Sequence, residues 1–240
     1  MVKVGCCGFA GSRPSYYRQF GAVEVQQTFY RPPRPETLRK WREEAPRGFA
    51  FTIKAFQGVT HPATSPTFRR AGLALSPETR EAYGFFRPTP QVWEAWEATR
   101  QAALALDAEV VLLQCPPAFT PTPEHLEWLR GFLERKGAHP FLLAWEPRGK
   151  EWTDSLVRAV CQEGHLLHAV DPLERAPVTP PPYYFRLHGG PRYAHRHTDE
   201  ELQRLARLVR GQEGWVFFNN SVHMRGDALR LLALLAEQLV

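Results

Sequence analysis

The chain has 240 residues, of which 43% are hydrophobic and 23% charged, and its formal net charge is +5. These values exclude wholesale disorder, and no apolar run approaches the ~20 residues that span a bilayer. The basic excess permits an anionic ligand or nucleic acid as partner without requiring either.

The opening residues "MVKVGCCGF" lack a long apolar stretch of the secretory kind, so a cytoplasmic protein with no membrane partner is expected. They begin the first of eight short runs rich in β-branched or aromatic residues and bounded by turns, at residues 3–8. The second, "VEVQQTFYRPP", starts at Val23 and places Glu24, Gln26 and Thr28 on one face by strand alternation, with Tyr30 following. "PETLRKWREE" then reads as a helix, with proline in the first turn and Leu38 and Trp41 on one side. The third run, 49–55, is followed by a Pro-, Thr-, Ser- and Arg-rich connection over 55–90, long enough to be functional or disordered.

"QVWEAWEATRQAALAL" is the next helix, with Trp93, Trp96 and Ala103 on a stripe. The fourth run is 109–115. "PTPEHLEWLRGFLERK" presents Leu126, Leu129 and Leu133 before the fifth run at 140–146. A shorter helical segment surrounds Asp154, and runs six and seven are 165–171 and 183–189. "TDEELQRLARLV" opens with a capping box, Thr198 and Glu201, and presents Leu202, Leu205 and Val209. Run eight is 215–220, and a last helix begins near Asp227.

Strand and helix alternating eight times predict a single-domain (β/α)8 TIM-like barrel over residues 1–240, with the long loop after strand 3. The alternative is an open doubly wound sheet, but no GxGxxG or GxxxxGK[ST] follows the first strand.

Polar residues gather where the strands finish. They are Glu24, Thr28 and Tyr30, then Lys54 with His61 beyond it, Gln114, Glu146 with Arg148, Asp171, Arg186 with His188 and Gly189, and Asn219. Strands buried on both faces otherwise read as continuous apolar runs, and in a barrel these ends converge on one mouth. Glu24, Glu146, His61 and His188 are the candidate acids and bases. Thr28, Tyr30, Lys54, Gln114, Arg148, Asp171, Arg186, Gly189 and Asn219 are the candidate ligand-binding residues, with the His-Gly-Gly turn offering backbone N–H groups to an anion. Three carboxylates (Glu24, Glu146, Asp171) face three cations (Lys54, Arg148, Arg186), which disfavours but does not exclude a divalent metal; no cofactor is indicated.

A small anionic or zwitterionic substrate of an enzyme is the first functional reading. Nucleic-acid binding or processing through a basic rim (Arg31, Arg34, Arg69, Arg70), with or without a metal, is the second, and a non-catalytic ligand-binding protein the third. Gln114 and Arg186 stand where many barrel glycosidases place carboxylates, so glycoside hydrolysis fits poorly. Lys54 is expected as an ion-pair partner, with a Schiff-base role open if Arg186 or Arg148 lies close and depresses its pKa. His195 and His197 form an HxH expected in an exposed loop. Cys6, Cys7, Cys115 and Cys161 lack disulfide or zinc spacing and are expected as small buried residues, with a reactive thiol left open at Cys6 or Cys115.

"VEVQQTFYRPP", "FAFTIKAFQGVTHP", "LLQCPPAF", "WEPRGKEW", "FRLHGG" and "VFFNNSVHMRGDAL" together resemble, in this order and over nearly the whole chain, the DUF72 or YecE-like family. The resemblance implies a TIM-barrel-like fold and supplies no reaction. It marks Glu24, Thr28, Tyr30, Lys54, His61, Gln114, Glu146, Arg186, His188, Gly189 and Asn219. Gln26 and Gln27 stand where the family often has Asn-Ser, and "GFAGSRPSYYRQF" lacks its usual tryptophan-containing motif.

Overall fold

The eight runs form eight parallel strands that hydrogen-bond in chain order and close into a barrel, the last beside the first. A computed structural model describes residues 1–72, 75–190 and 192–237. In chain order the elements are β1 (Val2–Cys7), α1 (Arg13–Tyr17), β2 (Ala22–Val25), α2 (Gln27–Tyr30), α3 (Pro35–Glu44) and β3 (Ala50–Lys54). There follow α4 (Gln57–Thr60), α5 (Pro66–Arg70), α6 (Pro77–Arg80), α7 (Pro90–Leu106), β4 (Val110–Gln114), α8 (Pro123–Arg135) and β5 (Leu142–Glu146). The chain continues through α9 (Asp154–Gly164), β6 (Leu167–Val170), β7 (Tyr183–Leu187), α10 (Asp199–Val209), β8 (Gly214–Phe218) and α11 (Met224–Ala236). No described helix is long and apolar enough to cross a membrane.

Capping chemistry sets the helix starts. The hydroxyls of Thr89, Thr122, Thr153 and Thr198 accept from backbone N–H groups in the first turns of α7, α8, α9 and α10. The capping box at Thr198 and Glu201 forms in full. α7 and α9 end on Asp107 and His165 in the left-handed region, at φ 51° and 52°.

Two corrections concern element boundaries. The second strand stops at Val25, and the chain turns into α2, so Thr28 and Tyr30 lie on a helical turn rather than continuing the face of Glu24. The long connection over 55–90 carries α4, α5 and α6 rather than being structureless, although Leu73 and Ala74 within it lie outside the described residues.

Alternation along the strands divides the packing. Val23, Val25, Ile53, Val111, Leu113 and Phe185 join the helices in the outer core. Ala22, Ala50, Leu112, Ala144, Ala169, Tyr184 and Phe217 fill the barrel interior. The base is closed by polar groups: Lys3 pairs with Glu109, whose Oε2 accepts from Trp215 Nε1 at 2.8 Å. The layer above the apolar filling is the polar one, and it forms the mouth.

β1 and β2 meet closely because Gly5 has no side chain: a Cβ there would lie 2.0 Å from the Ala22 carbonyl oxygen. Beside this contact the Tyr16 hydroxyl accepts from Cys6 N–H at 2.7 Å and donates to Ala22 O at 2.9 Å. Gly5→Ala is expected to lower unfolding free energy by at least ~3 kcal/mol in urea titration. Gly131→Ala, in α8 with open space around it, should raise it by about 0.5–1 kcal/mol. A Gly5→Ala protein as stable as the parent would contradict this packing.

Candidate functional site

Strand alternation turns Cys7, Glu24, Thr52, Lys54, Gln114, Glu146, Tyr184 and Arg186 towards the axis. The register pairs Cys7 with Glu24 and Glu24 with Thr52 on one side of the mouth, and Gln114 with Glu146 on the other. Arg186 is their centre. Its Nε and Nη2 form a fork to Glu24, at 2.9 and 2.8 Å. Its Nη1 donates to Glu146 Oε2 at 2.5 Å and to Gln114 Oε1 at 3.3 Å, and Nη2 also reaches Cys7 Sγ at 3.6 Å. A guanidinium has five N–H donors, and all five are engaged within the protein.

Glu24 is completely buried and equally saturated. Beyond the two Arg186 bonds, its oxygens accept from Tyr184 OH at 2.7 Å, from Cys7 Sγ at 3.2 Å and from the Gln26 amide. Tyr184 OH in turn accepts from the Thr52 hydroxyl at 2.9 Å. Burial alone would push the Glu24 carboxyl up, but the Arg186 charge, with its hydrogen bonds and that of Tyr184, outweighs it and holds the group below the usual carboxylate range. Burial also opposes ionisation of Glu146, yet Arg186 and Arg148 hold it well below that range. Both carboxylates are therefore anionic partners of arginine at neutral pH, and neither can donate a proton there.

Arg148 Nε donates to Glu146 Oε1 at 2.8 Å, and His188 Nε2 lies 3.1 Å from the same oxygen. Asn219 Nδ2 stands 3.3 Å from His188 Nδ1. Asp171 braces this loop: its oxygens accept from the backbone N–H groups of Leu173 at 3.1 Å and His188 at 2.9 Å. Glu146, Arg148, Asp171 and His188 line a hollow of about 210 Å³.

A larger cavity of about 470 Å³ opens over β1–β4, β7 and β8. Tyr30, Lys54, His61, Gln114, Arg186 and Asn219, all expected from the sequence, line it. Cys7, Gln26, Phe29, Arg70 and Tyr193 also line it, and among the described residues no Asp or Glu does. Thr28 and Gly189 line neither space. The Thr28 hydroxyl donates to Lys54 O at 2.7 Å and ties α2 to the end of β3. Gly189, at φ 67°, packs where a Cβ would lie 2.5 Å from Asn220 Cβ, so its role is close approach of two loops rather than an open anion nest.

Lys54 departs most from expectation. It has no ion pair among the described residues. Its Nζ stands 3.6 Å from the centroid of the Phe29 ring, and the ring edge of His61 packs on the same phenyl, 4.9 Å between centroids. Burial, then the Arg186 charge, lowers the amine to about 7, with Glu146 and Glu24 only partly opposing. Burial, then Lys54 and Arg148, lowers His61 to about 3, so this ring is neutral at physiological pH. Thr60 Oγ1 lies 2.8 Å from its Nδ1.

The remaining expectations divide. His197 is buried rather than exposed, with its N–H donating to Asp227 Oδ2 at 2.9 Å and Nδ1 3.0 Å from that oxygen. All four cysteines are free and buried; burial pushes the Cys6 thiol up to about 12 and raises Cys115 further, so neither is a reactive thiolate. A metal at the mouth would need Glu24 and Glu146, but both face the Arg186 guanidinium. No group of three His, Cys, Asp or Glu among the described residues could hold an ion.

Residues 12–240 match the family described as "Protein of unknown function DUF72". The chain belongs to this family. Two DUF72 family proteins of known structure share its fold. The one from Enterococcus faecalis is 18% identical with a TM-score of 0.73, covering 98% of this chain and 96% of its own. The one from Thermotoga maritima is 23% identical with a TM-score of 0.72, covering 98% and 99%. D-psicose 3-epimerase, solved in the presence of D-fructose, has the same fold at 13% identity and a TM-score of 0.60, with 97% of each chain covered. No curated protein matches the sequence.

The missed site residues differ in how visible they were. Cys7 and Thr52 followed from strand register, whereas Phe29 and Arg70 reach the cavity from the short helices α2 and α5 and Tyr193 from a turn, none of which strand periodicity orients. Arg186→Met should lower stability by about 3–5 kcal/mol at pH 7 by stranding two buried carboxylates. The parent carries depressed carboxyl pKa values, so its stabilisation is present above the unfolded carboxyl range and fades as pH falls through the folded values. In the variant burial raises those pKa values, so its deficit should shrink on acidification. Parallel urea titrations at pH 7 and pH 4 read this, and a pH-independent difference would contradict it.

Proposed function

We propose that this protein is an enzyme acting on a small organic anion in the larger mouth cavity, with the Lys54 amine as the proton-transfer group. The charge of the wall carries this reading: Lys54, Arg70 and Arg186 line it, and no described carboxylate does. Glu24 and Glu146 lie beneath and neutralise Arg186, so the positive charge of the accessible face comes from Arg70 and the protonated fraction of Lys54. The volume, about 470 Å³, suits a small molecule.

General acid–base catalysis works best with a pKa near the operating pH. Lys54, at about 7, meets that condition, whereas Glu24 and Glu146 remain ionised and His61 remains neutral. The exposed Arg70 would meet the anionic end of the ligand, while Gln114, Asn219 and the tyrosines offer hydrogen bonds to its polar groups. Arg186, with every donor engaged, frames the site rather than binding the anion. The D-psicose 3-epimerase fold supports a small polyhydroxy or carbonyl compound as the ligand class, by fold analogy alone.

Nucleic-acid binding has one favouring observation: Arg31, Arg34, Arg69 and Arg70 are all exposed near the mouth.

Thermal-shift titration separates these readings. Sulfate, phosphate and small hydroxycarboxylates should stabilise the protein, by ~2.7 kcal/mol at a hundredfold excess over Kd. Arg70→Ala and Lys54→Met should each weaken that binding by ~10-fold, the value of one charge-assisted contact. No shift with any small anion, together with steeply salt-dependent oligonucleotide binding, would replace the enzyme reading with the second.

A further inference from the structure

We infer that Lys54 is a covalent nucleophile whose amine condenses with the carbonyl carbon of a small anionic aldehyde or ketone. This rests on the cavity being an anion site, and replaces proton transfer at Lys54 by bond formation with a carbonyl substrate.

A lysine nucleophile needs an unprotonated amine, no carboxylate partner and a fixed position facing a ligand space. Lys54 meets the last two in geometry, with no carboxylate partner among the described residues, and its lowered pKa supplies a fraction of free amine. It is the last residue of β3, a strand paired on both sides. The Thr28 hydroxyl holds its carbonyl, and the side chain lies along Phe29 with Nζ 3.6 Å from the ring centroid. The charged groups facing it come from several elements. Arg186 on β7 and Arg148 after β5 disfavour the ammonium; Glu24 on β2 and Glu146 on β5 favour it but are bound to those arginines. His61, after α4, stays neutral and lines the same cavity.

The step balances without an oxidant. The Nζ lone pair attacks the carbonyl carbon, a C–N bond forms, and the π electrons pass to oxygen, which gains a proton. The nitrogen loses a proton, the hydroxyl gains one and leaves as water, and a C=N bond remains. Amine, carbonyl and one proton thus give a protonated imine and water. The imine keeps one positive charge at this position, which the substrate's own anion compensates.

The test uses glyoxylate, an anionic aldehyde, with sodium cyanoborohydride, which transfers hydride to the imine carbon and makes the link permanent. Peptide mass mapping then locates it. The other lysines, Lys3, Lys40, Lys136 and Lys150, are partly or fully exposed and serve as internal controls. At pH 7 Lys54 should be labelled ~10-fold or more faster than any of them, because an amine of ordinary pKa is almost wholly protonated there. Its labelling should rise with pH through about 7, and saturable glyoxylate binding should be displaced by sulfate. If glyoxylate binds and sulfate displaces it but Lys54 is labelled no faster than the exposed lysines, the covalent role is wrong and the anion site stands. If neither glyoxylate nor sulfate binds, both readings fall.

Discussion

One guanidinium holding two buried carboxylates is the constraint on which the mouth of this barrel depends. Arg186 joins β7 to Glu24 on β2 and Glu146 on β5, so three strands far apart in sequence are tied together. Burial of any one of these charges alone would be prohibitive; together, with Tyr184, Gln114, Cys7 and Gln26 completing their hydrogen bonds, they are satisfied. The same saturation decides the chemistry. A carboxylate gripped by arginine is neither a metal ligand nor a general acid, and an arginine with five engaged donors is not a receptor for a ligand's anion. Among the described residues Lys54 is left without an ion-pair partner, beside a positive charge, and this places a substantial fraction of unprotonated amine at a cavity surface near neutral pH.

Much of this was legible in the sequence, for definite reasons. A parallel barrel buries both faces of each strand, so polar residues at strand ends stand out against apolar runs. Glu24, Lys54, Gln114, Glu146 and Arg186 were found that way, and all turn to the axis. Turns follow no such period. The residues after Val25 alternate well enough to pass for strand, yet Thr28 bonds back to the Val25 and Lys54 carbonyls and Phe29 becomes the platform under Lys54. His197 sits in a polar stretch that reads as solvent-exposed, and only the fold brings Asp227 of α11 against it. Pairing was the least legible property. Three carboxylates and three cations invited a neutral network, whereas Asp171 serves backbone N–H groups and the imbalance falls on Lys54.

The family relation and the structural neighbours support the architecture and leave the reaction to the site. Proteins that share this barrel at low identity include D-psicose 3-epimerase, and in such barrels the strands supply rigidity while loops at their C-terminal ends supply chemistry. Here the division runs within the mouth itself. The Arg186 network is a rigid polar floor, and the cavity wall above it is drawn largely from α2, the β3–α7 connection and the segment after β8, with Tyr193 from the segment after β7.

The state of the Lys54 amine tests the account most directly. Heteronuclear NMR titration of the lysine side chains, with Lys54 assigned by its loss in Lys54→Arg, measures it without a ligand. The structure predicts a midpoint at about 7. A midpoint at the ordinary lysine value, ~10.4, would show that Lys54 has a counter-ion or free hydration, and would contradict both the charge separation at the mouth and the chemistry drawn from it.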